Sequence, residues 1–411
     1  MSHFIKIIYF VRLVLVEWFG LVIAYFFAGL FIYLVLRRLH SRRFSVAFLL
    51  VLLGASIFFY VPRGLPHGFQ SPFFLTTYGP APGPGLPFKN VYEFFKNFDR
   101  FPRVQDIARD PNAVPSPIER KIPATVEFHL TAKEVIGEIA PGVYENFWTF
   151  DGTIPGPMLR VREGDTVKLT LTNDPINLHH HNIDLHAVSG PGGGAVSTNV
   201  LPGETKTLTF KALHPGLFVY HCAHPNAANH MAHGMYGMIL VEPAAGLSKV
   251  DKEYYIMQGE SYTTGELGRK GLQIFDTEAL LDGKPQYIVF NGRVGGVNEK
   301  MNVKTGEKVR IFFGNGGVNL VSSFHVIGAI FDRVYPEAAL GSVEKDVQTT
   351  LVPAGGATVA ELSFPVPGNY MLVDHALARI DRGAWGMMHA SGVQNPEVYD
   401  GEIPAHPIVG H

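Results

Sequence analysis

The chain has 411 residues, 46% of them hydrophobic, enough to bury cores for two ordinary domains with a further segment to spare. Its 34 basic and 36 acidic residues nearly cancel, leaving no electrostatic footprint for nucleic acid. A single cysteine, Cys222, excludes an intrachain disulfide, a CxxCH haem attachment and a Cys-ligated iron–sulfur cluster.

From Ile7 to Leu36 the chain is almost wholly apolar, and after "RRLHSRR" a second apolar run extends from Phe44 to Val61. Each is long enough to cross a hydrocarbon core of about 30 Å as a helix. A signal peptide would have a shorter apolar run and a small-residue cleavage site. The expectation is therefore a retained transmembrane helical hairpin over residues 1–61. Arg37, Arg38, Arg42 and Arg43 in its loop face the cytoplasm, which puts the rest of the chain on the far side of a bacterial inner membrane, in the periplasm. Arg12 and Glu17 read as snorkelling to the interface.

Residues 62–120 form a connector, "PRGLPHG" and "GPAPGPGLP", too rich in Pro and Gly for a domain core. It contains one periodic island, in which Phe88, Val91, Tyr92, Phe95 and Phe98 share a helical face. A short helix packed on the soluble part fits this pattern; a membrane-surface helix is the alternative, although its charge is mixed.

Beyond Lys121, short β-branched and aromatic runs between Gly and Pro turns predict an all-β chain of sandwiches. "DGTIPGPMLRVREGDTVKLTLTN" returns loosely as "FNGRVGGVNEKMNVKTGEKVRIFFGN", and "LPGETKTLTFKALHPGLFVYHC" as "VPAGGATVAELSFPVPGNYMLVDH". The same motif order occurs twice, which implies a duplicated domain over residues 121–245 and 246–395, with a tail at 396–411.

Strand parity sorts the histidines. In "HNIDLH", His181 points one way and Asp184 and His186 the other; in "YHC", His221 and Cys222 face opposite sides. If these strands are neighbours, His181 and Cys222 share one side and His186 and His221 the other, giving two metal sites back to back. His230 and Met235, spaced Cys-x7-His-x4-Met, complete a thiolate, two imidazoles and a weak thioether, the donor set of a blue-copper electron-transfer centre. The alternative is that Cys222 is only a small buried hydrophobe. The second site needs a third imidazole, for which His375 in "VDH" is the candidate; three imidazoles and an open position suit copper or zinc. His325 is left for proton work beside Asp184, or for a satisfied place in a strand. His179, His180, His224 and His233 fit neither spacing and are expected on the surface or in loops, and His406 and His411 fall in the tail.

These motifs, "HNIDLH", "YHCAHPNAANHMAHGMYGMILVEP", "SSFHVIG", "VPAGG" and "LVDHA", resemble the two-domain copper-containing nitrite reductases, with the shorter loop of the branch that includes enzymes of neisserial type. The resemblance spans roughly Lys121 to Gln394 and implies two tandem cupredoxin-like Greek-key sandwiches. It implies type 1 copper at His181, Cys222, His230 and Met235, and type 2 copper at His186, His221 and His375, the last from the neighbouring subunit of a homotrimer. It further implies that Asp184 and His325 are the catalytic pair and Ile327 the apolar residue crowding the substrate. The implied reaction is one-electron reduction of nitrite to nitric oxide and water, the electron passing through the Cys222–His221 link. His224 and Asn226 stand where less polar residues are expected, and the hairpin lies outside the family pattern.

The expected electron donor is a cytochrome c or small cupredoxin, with direct reduction by membrane quinol as the bolder option. Two rivals are a multicopper oxidase, which would need an HCH segment where this chain has "HCA", and a membrane-anchored blue-copper electron carrier, which would need none of Asp184, His325 and His375.

Overall fold

The computed structural model describes residues 26, 29–38, 44, 46, 48–50, 101–273 and 275–401. The chain divides into two compact units, one holding residues up to Arg100 together with Ile274–Thr277, the other the remainder from Phe101. In the N-terminal unit, residues 29–38 are helical, with Leu30, Phe31, Leu34 and Val35 exposed. A methyl group at Gly29 would lie 3.0 Å from Leu49 Cδ1, so the two apolar runs approach each other there. Among the described residues, no helix is long and apolar enough to cross a membrane. Most of the expected hairpin, the periodic island at 88–100, and His406 and His411 lie outside the described residues.

The larger unit begins with β1 (Thr125–Ala140), β2 (Val143–Phe150), β3 (Leu159–Arg162), β4 (Thr166–Asn173), β5 (Asp184–Leu185), β6 (Thr205–Lys211), β7 (Gly216–His221) and β8 (Tyr236–Glu242). It continues with β9 (Lys252–Ser261), β10 (Gly271–Leu272), β11 (Tyr287–Phe290), β12 (Met301–Lys304), β13 (Lys308–Asn315), β14 (Ser322–Val326), β15 (Phe331–Tyr335), β16 (Glu344–Val347), β17 (Thr349–Val352), β18 (Ala357–Ser363), β19 (Gly368–Asp374) and β20 (Trp385–Ser391). Alternation makes these strands: in β4, Val167, Leu169 and Leu171 are buried while Lys168 between them is exposed.

Four sheets result, ordered β10-β2-β1-β4-β6 and β3-β8-β7-β5, then β11-β9-β13-β18-β15-β16 and β12-β20-β19-β14-β17. The run β2-β1-β4-β6 matches β11-β9-β13-β18, and β3-β8-β7-β5 matches β12-β20-β19-β14. The parallel pairs recur at the same places: β1 with β4 as β9 with β13, and β3 with β8 as β12 with β20. The repeat extends to single residues. Cys222 and Asp374 are each the seventh residue counted from the glycine that opens β7 or β19, and each donates its backbone N–H to the segment entering the next strand, to Met235 O and Ala384 O.

Each sandwich has its own core, one around Trp148, Phe150, Leu169, Tyr220 and Cys222, the other around Phe290, Phe313, Phe324 and Phe331. A third apolar cluster joins them, with Leu217, Val219, Met238 and Leu240 against Tyr255, Met257, Phe312 and Val359. At about 1.5–3 kcal/mol for each fully buried large side chain, this seam holds the two halves together. Arg160 pairs with Glu242 in its own half and crosses the seam to Glu253, and Arg310 binds Glu253 and Glu361. Removing one member would leave a buried charge uncompensated, at about 3–5 kcal/mol.

Residues 101–118 pack against the rest of the larger unit. Read as connector, they nevertheless strap onto the first sandwich: Val104 N donates to Ile136 O at 3.0 Å, Ile154 N donates to Ile107 O at 2.8 Å, and Ile107 is fully buried in the seam. Breaker-rich composition argues against a new core, but not against docking on an existing one.

Candidate metal centres

The buried centre forms where β7 ends. Cys222 is fully buried, its Sγ 3.3 Å from His230 Nδ1 and 4.0 Å from His181 Nδ1. The sequence brings His230 back by a local device. Asn226 adopts φ +66°, a left-handed conformation that asparagine tolerates, and turns the chain into α1 (Ala227–Ala232), which returns His230 to the thiol. Met235 is fully buried and accepts from Cys222 N through its carbonyl at 3.1 Å. Asn182 completes the frame: its N–H donates to Cys222 Sγ at 3.4 Å, and its Oδ1 accepts from Ala223 N at 2.7 Å.

Burial pushes the Cys222 thiol up to about 12, against the opposing backbone hydrogen bonds of Asn182 and His224, and burial likewise drives His230 well below the usual imidazole range. His181 is also lowered by burial, despite the opposing hydrogen bond to Glu134. Neutral imidazoles converging on a sulfur form a soft N/S donor set, which suits a thiophilic transition metal.

The second centre lies on the opposite face of the same dipeptide. Asp184 pairs with His221 across β5 and β7, and the ligand atoms of Asp184, His186 and His221 all lie within 4.8 Å of one another. His221 Nδ1 donates to Cys222 O at 3.0 Å, so in the neutral ring Nε2 is a free acceptor; it faces His186 Nε2 at 3.2 Å. Two imidazole nitrogens converging at that distance, with a carboxylate beside them, fit a shared cation. The regular strand in "HNIDLH" covers only Asp184–Leu185, while His181 sits in an isolated bridge with Val200; even so, His181 is buried inward and His186 exposed outward.

A glycine closes this face. Gly193, at φ +56°, packs so tightly that a methyl group there would fall 1.7 Å from Asp184 Oδ1.

His325 and His375 come together on the second sandwich, ring centroids 5.3 Å apart. His325 Nδ1 donates to Gln348 O at 2.6 Å, and Ile327 N donates to Met371 O two residues on. His375 is exposed, and its segment is anchored by buried Asp374, which accepts from Ser323 N, Ala376 N, Gln258 Nε2 and Arg379 Nη1. Among the described residues, the groups of three or more His, Cys, Asp or Glu ligands are His181–Cys222–His230 and Asp184–His186–His221; His375 belongs to neither.

Two histidines refine the sequence reading. His179 and His233, expected on the surface or in loops, do lie in a loop and a turn but are buried, each stacked on Trp148 with centroids at 4.3 and 4.1 Å. Burial lowers His233 to about 3, while its Nδ1 donates to Asn229 O at 2.7 Å. His224 is half-buried, within 3.0 Å of Asn199 Oδ1, and burial lowers it to about 4. Sequence reasoning also missed Glu134. Burial alone would raise its carboxyl, but the charge and hydrogen bond of His179 and the hydrogen bond of His181 hold it well below the usual range.

Residues 132–246 match the family described as multicopper oxidase. Over 288 residues the chain is 49% identical to a copper-containing nitrite reductase of Neisseria meningitidis serogroup A, covering 69% of this chain and 74% of that protein. The chain belongs to the copper-containing nitrite reductase family. A second member, from Neorhizobium galegae, is 34% identical over 67% of this chain and 78% of its own length. Among solved structures, the copper nitrite reductase from Nitrosomonas europaea superposes with a TM-score of 0.60 at 37% identity, over 66% of this chain and 96% of that one. A multicopper oxidase crystal structure superposes with a TM-score of 0.57 at 28% identity, over 69% of this chain and 95% of that one. These nitrite reductases and oxidases share the two-sandwich cupredoxin-like architecture described above.

Proposed function

We propose that this nitrite reductase uses His181, Cys222, His230 and Met235 to hold type 1 copper for electron entry, and His186, His221 and His375 to hold type 2 copper for catalysis, with His375 supplied by the neighbouring subunit of a homotrimer. The observation that carries the reading is the back-to-back arrangement of two ligand groups on the adjacent residues His221 and Cys222. Copper held by these residues would supply one-electron exchange at the buried set and Lewis acidity toward nitrite at the outward set. The His221–Cys222 peptide gives a covalent path between the two ligand sets. Asp184 hydrogen-bonds the bound anion and delivers a proton, His325 supplies or relays the second, and Ile327 crowds the substrate position. The balance is nitrite plus one electron and two protons, giving nitric oxide and water.

The domain assignment follows: cupredoxin-like halves at 121–245 and 246–395, preceded by a membrane hairpin at 1–61 and a connector. Exposed apolar side chains on the helical residues 29–38, and their approach to Leu49, support the hairpin. It would hold the catalytic halves at the periplasmic face of the inner membrane, within reach of a cytochrome c, a small cupredoxin or quinol.

The test is Asp184→Asn in the copper-loaded enzyme. Nitric oxide formation falls by about a hundredfold or more, while the blue thiolate band is kept and added nitrite still perturbs only one of two copper resonance signals. Unchanged turnover would reject the proton role of Asp184. Four coppers per chain would favour the multicopper oxidase reading, and one copper insensitive to nitrite the electron carrier.

A further inference from the structure

Among the charged groups buried in the first sandwich, one outside both ligand sets lies against a histidine of the buried centre. Glu134, in β1, has no exposed surface. Its Oε1 is approached by Leu178 N at 2.9 Å, His179 N at 2.9 Å, His179 Nδ1 at 3.0 Å and His181 Nε2 at 3.4 Å. Its Oε2 has no hydrogen-bond partner. Trp148 stacks on His179 and packs edge-on against His181 at 5.8 Å, covering the pair. The opposite nitrogen of His181, Nδ1, is the one turned to Cys222 Sγ.

We propose that Glu134 is a positioning residue for electron entry: through His181 Nε2 it fixes which imidazole nitrogen meets the metal, and its negative charge, one ring away, favours the oxidised state of that centre. A carboxylate on the far nitrogen of a ligating histidine sets the tautomer and raises the basicity of the ring. The low-dielectric surroundings leave that charge poorly screened, and the unpartnered Oε2 leaves it only partly dispersed. His179 competes for the same oxygen, so it limits how much of the charge is felt at His181. The proposal rests on the reading of the buried centre as type 1 copper.

The two sides of the carboxylate give opposite expectations. Glu134→Gln keeps an oxygen acceptor but removes the charge. His179→Phe removes the competing side-chain donor and keeps a ring on Trp148. In the full-length copper-loaded protein, the blue band is titrated against a one-electron mediator of known potential. Glu134→Gln shifts the equilibrium toward the reduced form by about tenfold, equivalent to about 59 mV for a one-electron couple. His179→Phe shifts it toward the oxidised form.

Absence of a blue band in the unaltered protein would overturn the copper reading itself. A normal band with both variants moving the same way, or neither moving, would overturn the role of Glu134. If Glu134→Gln fails to fold, His179→Phe and Glu134→Asp decide: a potential that does not fall in the first, or that departs from the unaltered value by about 59 mV in the second, rejects the proposal.

Discussion

Glu145 is buried at the seam between the sandwiches, and its carboxylate accepts a hydrogen bond from Ser261 Oγ at 2.5 Å. Burial pushes its carboxyl up to about 7, with Ser261 opposing only in part. A raised acid holds its proton more tightly in the folded chain than in the unfolded one. Its favourable contribution is therefore full below the ordinary value of 4.5 and is lost as pH rises through about 7, amounting to about 3 kcal/mol. Glu145→Gln should flatten the fall in melting temperature between about pH 5 and pH 8; equal slopes in the two proteins would reject this assignment. At this scale the sequence was half legible. Residue type and spacing picked out His181, Cys222, His230 and the outward pair His186 and His221. The Trp148 stack and Glu134 were not visible, because they join β1 and β2 to a loop distant in sequence, 45 residues on from Glu134, with no periodicity to announce it. The burial of His179 and His233 within their loop and turn was not legible because polar residues are mostly exposed; here ring stacking and a backbone acceptor satisfy them inside.

Among the elements, the short turn Pro191–Gly194 has the most direct hold on the chemistry. Gly192 and Gly193 both take positive φ, and Gly193 lies against Asp184. A side chain at Gly193 would be strained by about 1–3 kcal/mol and would also displace the carboxylate. Gly193→Ala should thus cut nitric oxide formation by about a hundredfold, as expected for losing a positioned proton donor, while the blue band of the buried centre stays in place. A near-normal rate would show that Asp184 needs no such support. The strands themselves were readable from alternation, as β4 shows, and the duplication from repeated motifs. Strand β5 was not: only two residues of its motif pair with β7, because Asn182 turns its amide toward the thiol instead of a neighbouring strand.

At the level of the whole molecule, His186 and His375 are exposed, and among the described residues the ligand group around His221 comprises Asp184 and His186. A cyclic assembly would bring the missing imidazole from a neighbour. This predicts complementation between two inactive chains, His221→Ala and His375→Ala. Mixed at random in one assembly, they should recover about a quarter of the normal rate, the chance that an intact half from each chain meets at a site. No recovery would place His375 in its own chain's site or outside catalysis.

The matching positions of Cys222 and Asp374 bear on why, under the proposed assignment, electron entry would fall to one half alone. Both lie at the same depth of the same frame, but the second copy is closed by Arg379, a permanent cation whose charge cannot alternate. In the first copy, the proposed metal would take that place and could change valence. If the proposed assignment holds, duplication yielded a rigid half that presents a histidine, and a responsive half in which the same socket was left adjustable.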